Sequence, residues 1–222
     1  MVRWSRQELE TWPSRQRARM VNSLSGFKSA TLVGTADPRG VHNLSVVSSV
    51  VHLGSSPAQM GMVLRPPGED AHTYKNLVAT RQCTFSHIGV EWVAKAHQCS
   101  ARYPSEVSEF DAVGLTPCGM DREWKAPAVQ EAKVRLGLTL AADIVLPNRC
   151  HFVVLDVQWV EVAEKALARD GYVDLGQAQT AAISGLDGYH DTRHLGRLSY
   201  AKPGRELEVL HDVLKGWSDP ED

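Results

Sequence analysis

The run "KVRLGLTL", Lys133 to Leu140, constrains the fold most. Val134, Leu136, Leu138 and Leu140 fall on one side of an extended chain, which marks a strand with one face toward a core. A second long β run, "CHFVVLDVQWVEV", begins at Cys150. Upstream, "KSATLVGTADPRGVHNLSVVSSVV" reads as strand, turn, strand, because "ADPRG" carries the Pro and Gly of a tight turn between two β-rich runs. "QMGMVLR" is a further strand ending at Arg65, and "CTFSHI" another.

The helical pieces between them are short. "AHTYKNLVATRQ" places Tyr74, Leu77 and Val78 at helical spacing. "VEWVAKAHQCSA" is stopped by Pro104, and "SEVSEFDAVG" makes a helical turn ending at Gly114. Ser5 and Glu8 form a capping-box pattern that starts a helix near Arg6, and Pro13 ends it or begins a second, Arg-rich one through Met20. In the tail, Leu207, Leu210 and Leu214 share one helical stripe. Six or seven strands with short helices predict a mainly β fold, a small closed barrel with helical decoration. Regular βαβ alternation is missing, which argues against a doubly wound parallel sheet. With no repeat, low-complexity tract or linker, residues 1–222 are expected to form a single domain with a core over about 22–190 and helical extensions at both ends.

Composition narrows the partners. The formal net charge is −2, which argues against nonspecific nucleic-acid binding, and no stretch approaches the roughly 20 apolar residues of a membrane span. The opening "MVRWSRQELE" has no apolar signal region, and the four cysteines (Cys83, Cys99, Cys118, Cys150) show no paired spacing. A reduced, cytoplasmic protein is the expectation. The nine histidines are dispersed; the nearest approach to a metal pattern is His97 with Cys99, and His87 a helix away, which lacks the spacing of a four-ligand site. Phosphate-binding glycine loops, a G-x-S-x-G elbow and HExxH are all absent.

Two features point to chemistry. The segment "VHNLSVVSSVV" has the β-branched residues of a strand, yet Asn43, Ser45, Ser48 and Ser49 scatter hydrogen-bonding groups through it. Either it is a solvated edge or something polar lies against it; small side chains would let a planar ligand reach the main chain. Asn43, Ser45 and Ser49 share one parity and Ser48 the other, which suits a bulge or a flat path. Second, a strand delivers Arg65 shortly before a helix that begins around "HTYKN". A helix N-terminus with an arginine fork and the Thr73 hydroxyl suits a phosphate. The plain alternatives are a surface ion pair for Arg65, a helix cap for Thr73 and a solvated surface position for His72.

Taken together, the blocks "NSLSGFKSATLVGT", "NLSVVSSVVHLGSSP", "RP" with "HTYKNL" downstream, "KAHQCSARYPSEVSEFDAVGL", "APAVQEAKVRLG" and "GLDGYH" resemble the flavin reductase-like family, the FMN-binding split barrels. The resemblance spans Asn22 to His190 and is closest to the subgroup with "HTY" after the arginine. It implies a Greek-key split β-barrel that forms a homodimer, with one non-covalent FMN per subunit near the dimer interface. It implies that the strand Asn43, Leu44, Ser45, Val46, Val47, Ser48 and Ser49 lines the isoalloxazine ring and ribityl chain, and that Arg65, His72 and Thr73 hold the phosphate. Hydride would arrive at flavin N5 from NAD(P)H, and electrons would leave to free flavin, oxygen or an acceptor protein. Hydride arrival needs no acid or base, so no catalytic side chain is expected; backbone groups of Leu44 to Val47 are the candidate donors to the ring's pyrimidine edge. An FMN-binding electron carrier or sensor without nicotinamide turnover is the alternative. A serine hydrolase is the weaker third, for want of a nucleophile elbow.

Overall fold

The computed structural model describes residues 1–210. Seven antiparallel strands, β1 (Thr31–Ala36), β2 (His42–Val47), β3 (Val51–Ser55), β4 (Ala58–Leu64), β5 (Gln82–His87), β6 (Val134–Val145) and β7 (His151–Val162), lie in the order β2-β1-β5-β6-β7-β4-β3. Val47, Val33, Phe85, Leu138, Leu155 and Met62 come from six different strands yet join one buried cluster. A flat sheet cannot bring them together, so the sheet curls around them as a barrel. The alternation in "KVRLGLTL" is the reason β6 contributes: Val134, Leu136, Leu138 and Leu140 are all buried.

The run expected as one strand through "VVSSVV" is two. β2 ends at Val47, Ser48–Val50 leave the ladder, and β3 starts at Val51 and pairs with β4. These two strands are the opposite edges of the sheet. Ser49 spans the seam, since its Oγ donates to the Val63 carbonyl at 2.8 Å and accepts from the Val63 N–H at 3.2 Å. A serine can replace a ladder partner in this way because its hydroxyl both gives and takes a hydrogen bond. Sequence alternation alone merged the two strands, because β-branched residues continue on both sides of the break.

Among the described residues five α-helices decorate the barrel: α1 (Arg6–Thr11), α2 (Ser14–Ser23), α3 (His72–Thr80), α4 (Val93–Gln98) and α5 (Glu109–Val113). The capping box is formed, with the Glu8 N–H donating to Ser5 Oγ at 3.2 Å and the Ser5 N–H to the Glu8 carboxylate at 2.6 Å. α5 ends at Gly114, whose φ of +67° is the left-handed conformation that terminates helices. On α3, Leu77 is fully buried and Tyr74 half-buried, but Val78 points to solvent, contrary to the spacing argument. The reason is that α3 covers the barrel end with a narrow stripe.

β1 is wholly buried, and there Gly34 is required by close approach: a Cβ at that position would lie 1.9 Å from the Pro127 carbonyl oxygen. On the same outer face, Thr84 donates to Pro127 O at 2.5 Å and the Val129 N–H donates to Ser86 Oγ at 3.0 Å, which accounts for the buried hydroxyls of "CTFSHI". β8 (Ala181–Ser184) pairs with Lys28–Ser29 on one side and with β9 (Gly188–Asp191) on the other.

Met1–Asp191 form one compact unit, and the chain from Thr192 a second. In the second unit Arg197–Leu198 pair antiparallel with Val209–Leu210. The expected tail helix therefore does not include Leu207 or Leu210, and Leu214 lies outside the described residues. No helix among the described residues is long and apolar enough to cross a membrane.

Candidate functional site

The polar residues of β2 meet the first turn of α3. Alternation along β2 turns Asn43 and Ser45 to the barrel interior, beside Thr35 of β1. Asn43 Nδ2 donates to Thr73 Oγ1 at 2.9 Å and lies 3.3 Å from Thr35 Oγ1, and Thr73 Oγ1 donates to Ser45 Oγ at 2.8 Å. Asn76, one turn further along α3, also reaches Thr35 Oγ1 at 3.3 Å. The strand is neither a bare solvated edge nor a plain apolar one: its small polar groups pin α3 across the barrel mouth.

The amino end of α3 stays open. Ala71 stands at its N-cap without a side-chain hydrogen bond to offer, and the first turn holds no acid. Its leading N–H groups and positive dipole end are therefore not satisfied from within. At the other end of the Pro66–Ala71 loop Arg65 is exposed and makes no ion pair or hydrogen bond with another described residue. The ion pair that was the plain alternative for Arg65 is thus missing among the described residues. Beside the helix mouth lies a cleft of about 270 Å³, lined in part by Asp37, His42, Asn43, His72, Lys75 and Asn76. Of the residues expected to hold the cofactor, Asn43 and His72 line this cleft, whereas Leu44, Ser45, Val46, Val47, Ser48, Ser49, Arg65 and Thr73 do not. Burial pushes the His42 imidazole below its ordinary pKa, with Asp111 opposing.

The outer edge of β2 is engaged differently. The Leu44 N–H donates to Glu109 Oε2 at 2.8 Å, and Glu109 is 5% exposed. Burial raises the Glu109 carboxyl pKa, and the hydrogen bond from Leu44 opposes the rise. Alternate residues of an antiparallel strand direct N–H groups to alternate sides. Ser45 and Val47 therefore turn theirs to Val33 and Thr31 of β1, while Leu44 and Val46 turn theirs to the free edge. Since Leu44 is already committed, the expected backbone donors of Leu44 to Val47 narrow to Val46. Val47 itself sits in the core, and Ser48 is half-buried in the seam.

Sequence reasoning missed Glu109. A glutamate ahead of the apolar Phe110 looks like an ordinary first-turn acid, and only the packing of α5 on β2 reveals its partner. His87 could not be assigned from sequence; burial pushes its pKa down to about 4, and its buried Nδ1 has no hydrogen-bond partner among the described residues.

With this geometry in place, comparison with known proteins decides the family. The flavin reductase like domain matches residues 24–178, about two-thirds of the chain. The chain belongs to this family. A solved protein from Shewanella frigidimarina NCIMB 400, provisionally assigned as a flavin reductase with a split barrel domain, is 42% identical, with 90% of this chain and 100% of that one aligned and a TM-score of 0.86. Component B of nitrilotriacetate monooxygenase from Bacillus cereus is 18% identical over 87% and 96% of the two chains, with a TM-score of 0.76. An NADH:FAD oxidoreductase from Streptomyces globisporus is 14% identical over 81% and 93%, with a TM-score of 0.63. The last two share the fold. A comparison with curated protein sequences finds no match. The barrel is thus a split barrel of the flavin reductase type, and family membership gives the chain a flavin-related redox function.

Proposed function

We propose that this flavin reductase-like protein binds FMN non-covalently at the α3 mouth and accepts hydride on it from NAD(P)H. The observation that carries the reading is the open, uncapped amino end of α3, held to β2 through Thr73, Asn43 and Ser45, with the Arg65 guanidinium, unpaired among the described residues, at the start of the same loop. A dianionic phosphate supplies what these donors lack, and His72 stands in the first turn beside them. The flavin, when bound, supplies the electron chemistry at its N5. The chain's part is to fix the ring against β2, where the Val46 N–H at the free edge can stabilise negative charge on the reduced pyrimidine. The use of a reduced nicotinamide rests on the family and on the name of the Streptomyces relative.

A homodimer fits the outer face of the barrel. Val51, Leu53 and Ile144 are exposed there, and Phe152 stands between them, since Gly61 faces Val51 across the ladder and a Cβ on it would touch both Leu53 and Phe152. A contiguous apolar stripe of this kind marks an association surface.

The test is direct. Purified protein should bind about one FMN per chain, and anaerobic NADH or NADPH should bleach the bound flavin. Arg65→Ala should weaken FMN about tenfold or more, the scale of a lost charge-assisted contact, and should weaken riboflavin far less. A protein that takes up no FMN, or equal losses for both ligands, defeats the phosphate assignment. Bound flavin that neither nucleotide reduces defeats the hydride step alone.

A further inference from the structure

A second polar cluster borders the helix mouth from the opposite side. Tyr74 follows Thr73 in the first turn of α3, and its Oη donates to Asp143 Oδ2 at 2.8 Å. The other oxygen of that carboxylate, Oδ1, lies 2.7 Å from His151 Nδ1. The Tyr74 and His151 rings pack on each other with centroids 4.5 Å apart. Asp143 belongs to the last stretch of β6, where Ala141 to Val145 are all exposed, and His151 is the first residue of β7. The barrel core does not call for a carboxylate here.

The position of the cluster gives it a use. His151 is the cross-strand partner of Leu64, the last residue of β4, so the cluster stands next to the point where the chain leaves the sheet as Arg65. On its other side it grips α3 one residue beyond Thr73. Consecutive residues of one helical turn are thus tied to two separate walls: Thr73 to Asn43 and Ser45 of β2, Tyr74 to the β6–β7 hairpin. One tie would leave the helix free to rock about it, whereas two ties on diverging directions fix its axis.

We infer that Tyr74, Asp143 and His151 are positioning residues that hold the amino end of α3 and the Arg65 end of β4 at a fixed separation, setting the gap into which a phosphate fits. The inference rests on the phosphate reading proposed above and adds to it the residues that make the gap rigid. None of the three lines the cleft beside the helix mouth. Their effect is preorganisation: donors already in place lose no binding free energy to ordering. The hydrogen bond from Tyr74 also raises its phenol pKa, which keeps the donor protonated across the working pH range.

The experiment uses the full chain stripped of flavin and titrated with FMN and with riboflavin, which differ only in the phosphate. Tyr74→Phe keeps the ring and removes the tie; Asp143→Ala removes the shared acceptor. Each should raise the FMN dissociation constant about five- to tenfold, the scale of one net hydrogen bond, while riboflavin changes less than about twofold. The ratio of the two affinities is the decisive readout, because a general loosening of the fold weakens both ligands alike. If wild type prefers FMN and both variants keep the full preference, or lose both ligands equally, the positioning role is overturned and the phosphate site stands. If wild type shows no preference for FMN, the phosphate reading falls and this inference falls with it.

Discussion

The two ends of the β2-β1-β5 portion of the barrel share the same strands and differ in what covers them. Under α3, Thr35, Asn43, Ser45, Thr73 and Asn76 are buried or half-buried and bond to one another. At the other end His87 faces Thr31 across the ladder, and its Nδ1 is sealed from solvent without a partner among the described residues. A cavity of about 240 Å³ there is lined in part by His87, Trp92, Glu131, Lys133 and Gln179. Buried polarity is inexpensive where donors and acceptors match and costly where one is left over. The difference comes from the covering elements: α3 brings a hydroxyl and an amide onto β1 and β2, and the Gly89–Trp92 segment brings nothing to His87 Nδ1. The lesson is that the matched end is built to stay one shape, and the mismatched end holds a latent acid sensitivity.

The harshest way to break the comparison is to damage the strand both ends share. Gly34→Ala forces a Cβ against the Pro127 carbonyl and Thr84 Oγ1, so chemical denaturation should report a loss of about 3 kcal/mol or more. A loss below ~1 kcal/mol would mean that the 127–129 segment moves aside easily. The next lever separates the ends by pH. An unfolded imidazole takes its proton near 6.5, whereas folded His87 resists it until about 4. Between those values the unfolded chain binds more protons, so stability should fall as the pH drops, by roughly 2.5 kcal/mol between pH 7 and pH 4.5. His87→Leu should flatten that part of the profile. An unchanged slope would show that His87 gains a partner in solution.

The smallest effect belongs to the matched end. Thr73→Val removes the hydroxyl shared by Asn43 and Ser45, and thermal or urea unfolding should show a loss of about 1–2 kcal/mol. The same variant should leave the acid slope intact, since His87 is at the other end. A Thr73→Val variant as stable as wild type would mean that water takes the hydroxyl's place and that the network does not pin α3.

Much of this molecule could be read in advance. Strands with strict alternation, such as Val134 to Leu140, and helices with local stop signals, such as Ser5 with Glu8 or Gly114, depend on near neighbours and were legible. The break at Ser48–Val50 was not, because the reason for it is Val63, a residue on another strand. Asn43 and Ser45 were singled out as strand residues in need of a polar partner and Thr73 as a phosphate hydroxyl or helix cap, and the structure joins the three to one another. The partner of Leu44 was illegible, since Glu109 reaches it only after α5 packs on β2. Tyr74 looked like one more apolar position of α3, and its hydroxyl gained meaning only from Asp143.

By itself the sequence determined the mainly β architecture, the short helices and the family. These follow from periodicity, turn chemistry and local motifs, all properties of adjacent residues. Only the tertiary structure decided which polar groups are satisfied and which are left over: the bonded end under α3, the orphan nitrogen of His87, the committed Leu44 N–H and the double tie on α3. Hydrogen bonds and burial are relations between residues far apart in the chain, and they take definite values only when the barrel has closed.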